Sequence, residues 1–182
     1  MEDDMATRTG WIPRAITALA VVVVPSARAY AADRTAATGN VDTAVARRLV
    51  VSIPDRKLAL VENDRVVRVY SVAVGAPVSP SPVGTLTIVS RVTNPTYYKP
   101  GKVIGPGASN PLGTRWIGLS EKGYGIHGTD QPGSIGRAAS HGCIRLRNHD
   151  VERLFERVRT GDVVELHSKR TAEIARFFDV AQ

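Results

Sequence analysis

From Arg48 onward the chain alternates apolar and polar positions with a period of two. Leu49, Val51 and Ile53 fall on one face of a strand, Pro54-Asp55-Arg56 makes a turn, and Leu58 and Leu60 begin the return. Asn63-Asp64 marks a second turn into the apolar positions of residues 67–74, so the three segments predict a β-meander. Residues 75–84, punctuated by Pro77, Pro80 and Pro82, predict a rigid loop, and residues 84–90 another strand. Residues 94–113 show no periodicity and read as a long irregular loop, the kind that serves as a lid or a binding loop. Short strands are predicted over residues 115–119, 124–127 and 144–146. The period then lengthens: Val151, Leu154, Phe155 and Val158 stand at i, i+3, i+4 and i+7, with Asn148 as the N-cap and Gly161 as the stop. A closing strand over residues 162–167, with Val163 and Leu166 inward, and a short helix over residues 172–178 complete the pattern. No internal repeat is visible. A strand-rich chain with one main helix predicts a mainly β fold, either a β-sandwich or an open barrel.

The first thirty residues follow another logic. Residues 15–24 are a weakly polar to apolar run, shorter than the roughly 20 residues that span a bilayer. Arg8 and Arg14 precede it, Pro25 ends it, and Ala27-Arg28-Ala29 and Ala29-Tyr30-Ala31 carry the small-x-small spacing of a signal-peptidase site. Residues 1–31 are therefore expected to be an export signal, leaving no stable membrane span after cleavage; a buried core segment and an uncleaved anchor are the alternatives. Glu2, Asp3 and Asp4 are out of place in a signal n-region, and a start at Met5 would remove them. Residues 32–46 read as a linker, 47–168 as one catalytic domain and 169–182 as a C-terminal helical tail.

Charge changes the picture little. The 182 residues carry a net charge of +7. The basic residues are scattered, with no Lys/Arg run longer than two and no nucleic-acid-binding motif, so nucleic acid is not an expected partner. A basic surface also suits work beside an anionic polymer. An apolar fraction of 43% suits a globular core.

Cysteine usage changes it more. Exported proteins usually pair their cysteines, yet Cys143 is alone. Such a residue is buried and inert, intermolecular, or a reactive thiol. Its neighbours favour the last. Ser140-His141-Gly142-Cys143 places an imidazole two residues from the sulfur, and His127 ends the preceding strand. A nearby imidazole lowers a thiol's pKa and accepts its proton. Gly142 lets backbone approach a substrate carbonyl, with the Gly142 and Cys143 N–H groups as oxyanion donors. Gly128 and Thr129 form a turn that aims His127. His149 is expected to face solvent and His167 to be structural. Zinc held by His127, His141 and Cys143 is the rival reading, at a spacing that matches no common zinc pattern. Neither a metal nor another cofactor is expected.

Ile126-His127-Gly128-Thr129, followed by Ser140-His141-Gly142-Cys143-Ile144-Arg145-Leu146-Arg147-Asn148, resembles the signature of YkuD-type L,D-transpeptidases. The segments Pro80 to Thr85 and Asn110 to Trp116 are similar to other parts of the family pattern, with Ser81 and Val83 as variations. The similarity covers roughly residues 48–168. It implies an enzyme that acts on peptidoglycan stem peptides, with Cys143 as nucleophile, His127 as base, and His141 and Ser140 orienting the site. It also implies substrate contacts from Arg145, Asn148, Tyr97, Tyr98 and Trp116. Arg145 has an alternative role in an internal ion pair, Asn148 as a plain helix cap, and Trp116 in the core. Hydrolysis by an L,D-carboxypeptidase and non-catalytic peptidoglycan binding are the competing functions.

Overall fold

The computed structural model describes residues 45–179, so the expected export signal (residues 1–31) and almost all of the expected linker lie outside the described residues. In chain order the first strands are β1 (Arg47–Ser52), β2 (Lys57–Glu62), β3 (Arg65–Ser71), β4 (Val74–Gly75) and β5 (Gly84–Thr93). The short strands β6 (Tyr97–Lys99) and β7 (Lys102–Ile104) precede β8 (Arg115–Leu119), β9 (Gly125–His127), β10 (Ala138–Ser140) and β11 (Ile144–Arg145). Helix α1 (Asn148–Arg157), strand β12 (Val163–His167) and helix α2 (Ala172–Asp179) follow. Among the described residues no helix is long and apolar enough to cross a membrane.

Strands β1 to β3 form the antiparallel meander that the alternation predicts. Asn63 and Asp64 both take positive φ (49° and 60°), the requirement of a tight two-residue hairpin. Strands β1 and β2 are buried on both faces, while β3 is largely exposed. Leu49, Val51, Leu58 and Leu60 enter the main core, while Val50, Ala59 and Val61 lie under Ile174, Phe177 and Phe178 of α2. The C-terminal helix is therefore a packed layer. In β12 the inward pair is Val164 and Leu166; Val163, expected inward, is only half-buried, because residues three apart on a strand cannot share a face.

Strand β12 lies parallel to β1 and antiparallel to β5. Halfway along, β5 changes partners: residues 84–87 pair with β12, and residues 88–93 pair with β8 across a bulge between Ile88 and Ser90. Bulges bend the strand that carries them. The result is one curled eight-stranded sheet in the order β11-β9-β8-β5-β12-β1-β2-β3, the open-barrel form of the predicted mainly β fold. Helix α1 packs against β8 and β9, burying Val151 and Leu154 with Ile117, Ile126 and Ile144.

Three local expectations need correction. Residues 94–113 are not irregular throughout: β6 and β7 form a hairpin, tipped by Gly101 at φ 74°, with strands too short to show a period. The fully buried Asn110 secures it. Its Nδ2 donates to the carbonyls of Pro95 (2.7 Å), Gly105 (3.0 Å) and Ile104 (3.3 Å), and its Oδ1 accepts from the Leu112 N–H at 2.8 Å. Strand β10, not anticipated, pairs in parallel with β4 and so docks the proline-rich loop beside the segment that leads to Cys143. Finally, the N-cap of α1 is Arg147, and Asn148 is already inside the helix with its side chain used elsewhere.

Candidate active site

Cys143 is half-buried in the tight loop between β10 and β11. Ser140, itself buried, closes that loop. Its hydroxyl donates to the Cys143 carbonyl at 2.5 Å and accepts from the Gly142 N–H at 3.0 Å. Gly142 has φ 105°, and a Cβ there would stand 2.5 Å from the Tyr124 ring, so both backbone and space require glycine. Of the two expected oxyanion donors, Gly142 is already engaged by Ser140. The Cys143 N–H has no protein acceptor among the described residues. The thiol points its weak donor at the Gly123 carbonyl, 3.7 Å away.

His127 closes β9 and stands in register with Arg145 of the parallel neighbour β11. The ring is 4% exposed. Its Nδ1 lies 2.6 Å from the Gly128 carbonyl. A carbonyl can only accept, so Nδ1 carries the proton and Nε2 keeps a free lone pair. Trp116 stacks on the imidazole with ring centres 5.6 Å apart. The indole in turn lies over Gly118 and Gly125, where a Cβ would approach it to 2.9 Å and 2.5 Å. Trp116 is half-buried and borders a cavity.

Burial dominates the electrostatics of the pair. It lowers the His127 pKa to about 4, opposed by the hydrogen bond to Gly128 and reinforced by the nearby Arg145 charge. It pushes the Cys143 thiol up, against the pull of the Gly125 backbone and Arg145. The ligand-free pair is thus neutral thiol and neutral imidazole, not the thiolate that the sequence neighbourhood suggests.

Asn148 links the pieces around His127. Its Oδ1 accepts from the Thr129 N–H at 3.1 Å and, more weakly, from the Thr114 N–H at 3.4 Å. A Cβ on Gly113 or Gly128 would come within 2.1 Å or 2.2 Å of that oxygen, so both glycines are there to let it in. Thr129 is buried, and its hydroxyl receives the Gln131 N–H. The helix α1 start, the β8 entry and the turn after His127 are therefore tied through one amide oxygen.

Cys143 borders two cavities. One, of about 630 Å³, is bordered by Val92, Thr96, Tyr97, Tyr98 and Trp116 as well as Cys143. The other, of about 410 Å³, is bordered by Tyr97, Lys99, His127, Gln131 and Arg145 as well as Cys143. The β6–β7 hairpin contributes to both through Tyr97. Arg145 forms no ion pair among the described residues, and its buried Nε has no hydrogen-bond partner, so the internal ion pair considered for it is not there. His141 is exposed at the rim of the second cavity. His149 faces solvent beside Asp150 at 3.1 Å, and His167 lies 3.4 Å from Glu165, both away from the sulfur. Tyr124 and Lys99 were not singled out by sequence reasoning, and Asn110 and Gly113 entered it only within the segment Asn110 to Trp116.

Comparisons with known proteins identify the family and the fold. The sequence matches the L,D-transpeptidase catalytic domain family YkuD over residues 46–166. It is 41% identical over 127 residues to a Bacillus licheniformis protein named as the L,D-transpeptidase YkuD, covering 70% of this chain and 68% of that relative. A Bacillus subtilis protein named as the L,D-transpeptidase YqjB is 38% identical over 118 residues, covering 62% of this chain and 66% of the relative. An L,D-transpeptidase structure from Mycobacterium smegmatis superposes with a TM-score of 0.58 at 23% identity, covering 68% of this chain and 59% of that one. One from Enterococcus faecium gives 0.58 at 20% identity, covering 66% and 49%. At those identities the structural likeness speaks for the fold, and this chain spans about half to six-tenths of the structures it matches. Motif, site and fold converge: the chain belongs to the YkuD family of L,D-transpeptidase catalytic domains.

Proposed function

We propose that the protein is an exported cysteine acyltransferase of the cell envelope that joins peptidoglycan stem peptides in 3→3 cross-links. The observation that carries this reading is that Cys143 borders two cavities. A hydrolase needs one peptide at its sulfur, whereas a transferase must admit a donor and an acceptor to the same atom.

In the proposed reaction His127 Nε2 takes the thiol proton as sulfur attacks the carbonyl of the third residue of a donor tetrapeptide. Negative charge on the carbonyl oxygen is met by the Cys143 N–H. Collapse breaks the peptide bond, and His127 returns the proton to the amine of the departing D-Ala, leaving a thioester. The acceptor's side-chain amine then attacks the thioester, gives its proton to His127, and forms the new amide as the proton goes back to sulfur. His127 is suited to this base role because its Nδ1–H is fixed on Gly128, which leaves Nε2 as acceptor. Tyr97, Tyr98 and Trp116 offer apolar walls to the peptide, and Ser140 holds the nucleophile's loop.

Incubation with tetrapeptide-stem muropeptides and mass analysis tests the proposal. Dimers that have lost one D-Ala are expected, and Cys143→Ala should abolish them while peptidoglycan binding persists. Free tripeptide stems alone would mean hydrolysis, and an active Cys143→Ala variant would sink the mechanism. Export through residues 1–31 predicts a mature N-terminus after Ala29 or Ala31, read by N-terminal sequencing.

A further inference from the structure

The curled sheet is not closed along its whole length. Its two end strands approach where Ala73, just after β3, exchanges two backbone hydrogen bonds of 2.9 Å with Arg145 of β11. Ahead of that point β3 is an edge strand, and α1 packs against β8 and β9 near the other end of the strand order. A cavity of about 450 Å³ lies between them. Leu60 and Tyr70 border it from the sheet beside Arg68, and Arg153, Glu156 and Arg157 border it from the second half of α1. It shares no bordering residue with either cavity at Cys143.

Three arginines thus face one carboxylate. Arg157 is held by Glu62 at 2.5 Å, and Glu62 is shared with Arg47. Arg68 and Arg153 are in no ion pair among the described residues, and neither is Glu156. Exposed guanidinium groups are solvated, so their charge alone calls for no ligand. The floor supplies the independent sign. Tyr70 is 4% exposed, its ring lies under the Arg68 guanidinium at 5.9 Å, and its hydroxyl has no hydrogen-bond partner among the described residues. Burial pushes the Tyr70 pKa up; Arg68, Arg157 and Arg153 oppose that shift and Asp150 adds to it, so the hydroxyl stands among these charges. Asp150 itself faces His149 at 3.1 Å. Buried hydroxyls are normally satisfied, so one left open at the floor of an arginine-walled cavity is a donor for something the free protein lacks.

We propose that the cleft between β3 and α1 is a phosphate-binding site, in which Arg68 and Arg153 grip a phosphate group from the two walls and the Tyr70 hydroxyl donates to it from the floor. A guanidinium presents two parallel N–H groups that match neighbouring phosphate oxygens. Donors on two walls and a floor suit a tetrahedral group, whereas a planar carboxylate would satisfy one wall. Leu60 and the Tyr70 ring offer apolar contact to whatever the phosphate carries. The phosphate has two sources, free in solution or on the headgroup of an anionic lipid. The site is separate from the Cys143 cavities, so it stands whether or not the transpeptidase reading does.

Calorimetry at low salt on the full chain, with inorganic phosphate and glycerol 3-phosphate, tests the site, and flotation with phosphatidylglycerol against phosphatidylcholine vesicles separates the sources. Arg68→Gln and Arg153→Gln should each weaken binding about three- to tenfold, the range for one charge-assisted contact at a partly exposed site. Tyr70→Phe, which keeps the ring, should weaken it by a smaller factor with Tm unchanged. Lys169→Gln removes the same charge from an exposed position outside the cleft and should change nothing. Cys143→Ala should bind like the parent. Binding of the soluble probes alone assigns the site to free phosphate; phosphatidylglycerol binding that Arg68→Gln abolishes assigns it to a headgroup. Failure of every phosphate probe to bind, acetate binding as tightly as phosphate, equal weakening by Lys169→Gln, or a loss in neither or only one of the two arginine variants would overturn the proposal.

Discussion

Replacing Asn148 by alanine separates two roles that one residue can play at the start of a helix. The side chain is not the cap of α1; its Oδ1 instead receives the Thr129 N–H at 3.1 Å and the Thr114 N–H at 3.4 Å. Alanine keeps the helix but leaves both donors without an acceptor. An unpaired buried N–H costs roughly 1–3 kcal/mol, and Thr129, 3% exposed, has little access to water. The Thr114 bond is at the long limit and adds less. Together the loss is about 2–3 kcal/mol, which for a domain of this size lowers Tm by roughly 6–10 °C. Turnover should fall as well. The Gly128 carbonyl that fixes His127 Nδ1 belongs to the turn that Asn148 holds, so a loosened turn releases the imidazole. Thermal unfolding by circular dichroism and steady-state cross-linking on the same preparations measure both. Asn148→Asp is the control, because a carboxylate oxygen accepts the same two N–H groups. A simple N-cap would lose only about 1 kcal/mol and leave kcat intact. An alanine variant that melts within about 2 °C of the parent and keeps its kcat would refute the reasoning.

Two further outcomes follow from buried groups. Asn110→Ala removes four hydrogen bonds that secure the β6–β7 hairpin, so limited proteolysis should cut within residues 94–113 while the rest of the domain stays folded; uniform resistance would show that the hairpin needs no such anchor. His127 makes stability depend on pH. Its folded pKa is lowered from 6.5 to about 4, so between those values the unfolded chain binds a proton that the folded chain does not. Stability from this residue is present above about pH 6.5 and is lost as pH falls toward 4, by about 3 kcal/mol in full. Urea midpoints at pH 7 and 4.5 should therefore converge in His127→Gln relative to the parent, and an equal drop in both proteins would count against a buried neutral imidazole.

What the sequence made legible was whatever repeats or punctuates. The meander and the 3.6-residue stripe of α1 carry a period, and both are found, with β3 lying over Arg65–Ser71 where residues 67–74 were expected. The Asn63-Asp64 turn announces itself by residue type. The β6–β7 hairpin and the β4–β10 pair were missed because strands of two or three residues are too short to alternate visibly, and their stability comes from contacts distant in sequence. The parity error at Val163 has a different origin: β12 is apolar at two adjacent positions, and only its pairing with β1 and β5 decides which one faces the core. In the site, residue types were readable and partners were not. Nothing in the string Arg147-Asn148 says that the amide reaches back to Gly113, Gly128 and Thr129, because that contact exists only once three separate segments are folded.

The lone cysteine is where residue type and environment part company. A thiol beside two histidines suggests a preformed thiolate, yet the fold buries the sulfur and the imidazole together and favours the neutral form of each. Taken one residue at a time, burial looks adverse to catalysis. Under the proposed mechanism it is consistent with it. Proton transfer from sulfur to Nε2 in an empty site would create an ion pair with nowhere to place its negative charge, and burial penalises that state. When a peptide carbonyl sits over the sulfur, the charge passes on to the carbonyl oxygen, where the unengaged Cys143 N–H and the nearby Arg145 receive it. The same low-dielectric surroundings then strengthen both contacts. Under that mechanism the nucleophile is generated with its substrate in place rather than held ready in its absence, which no spacing of Cys143 and His127 along the chain encodes.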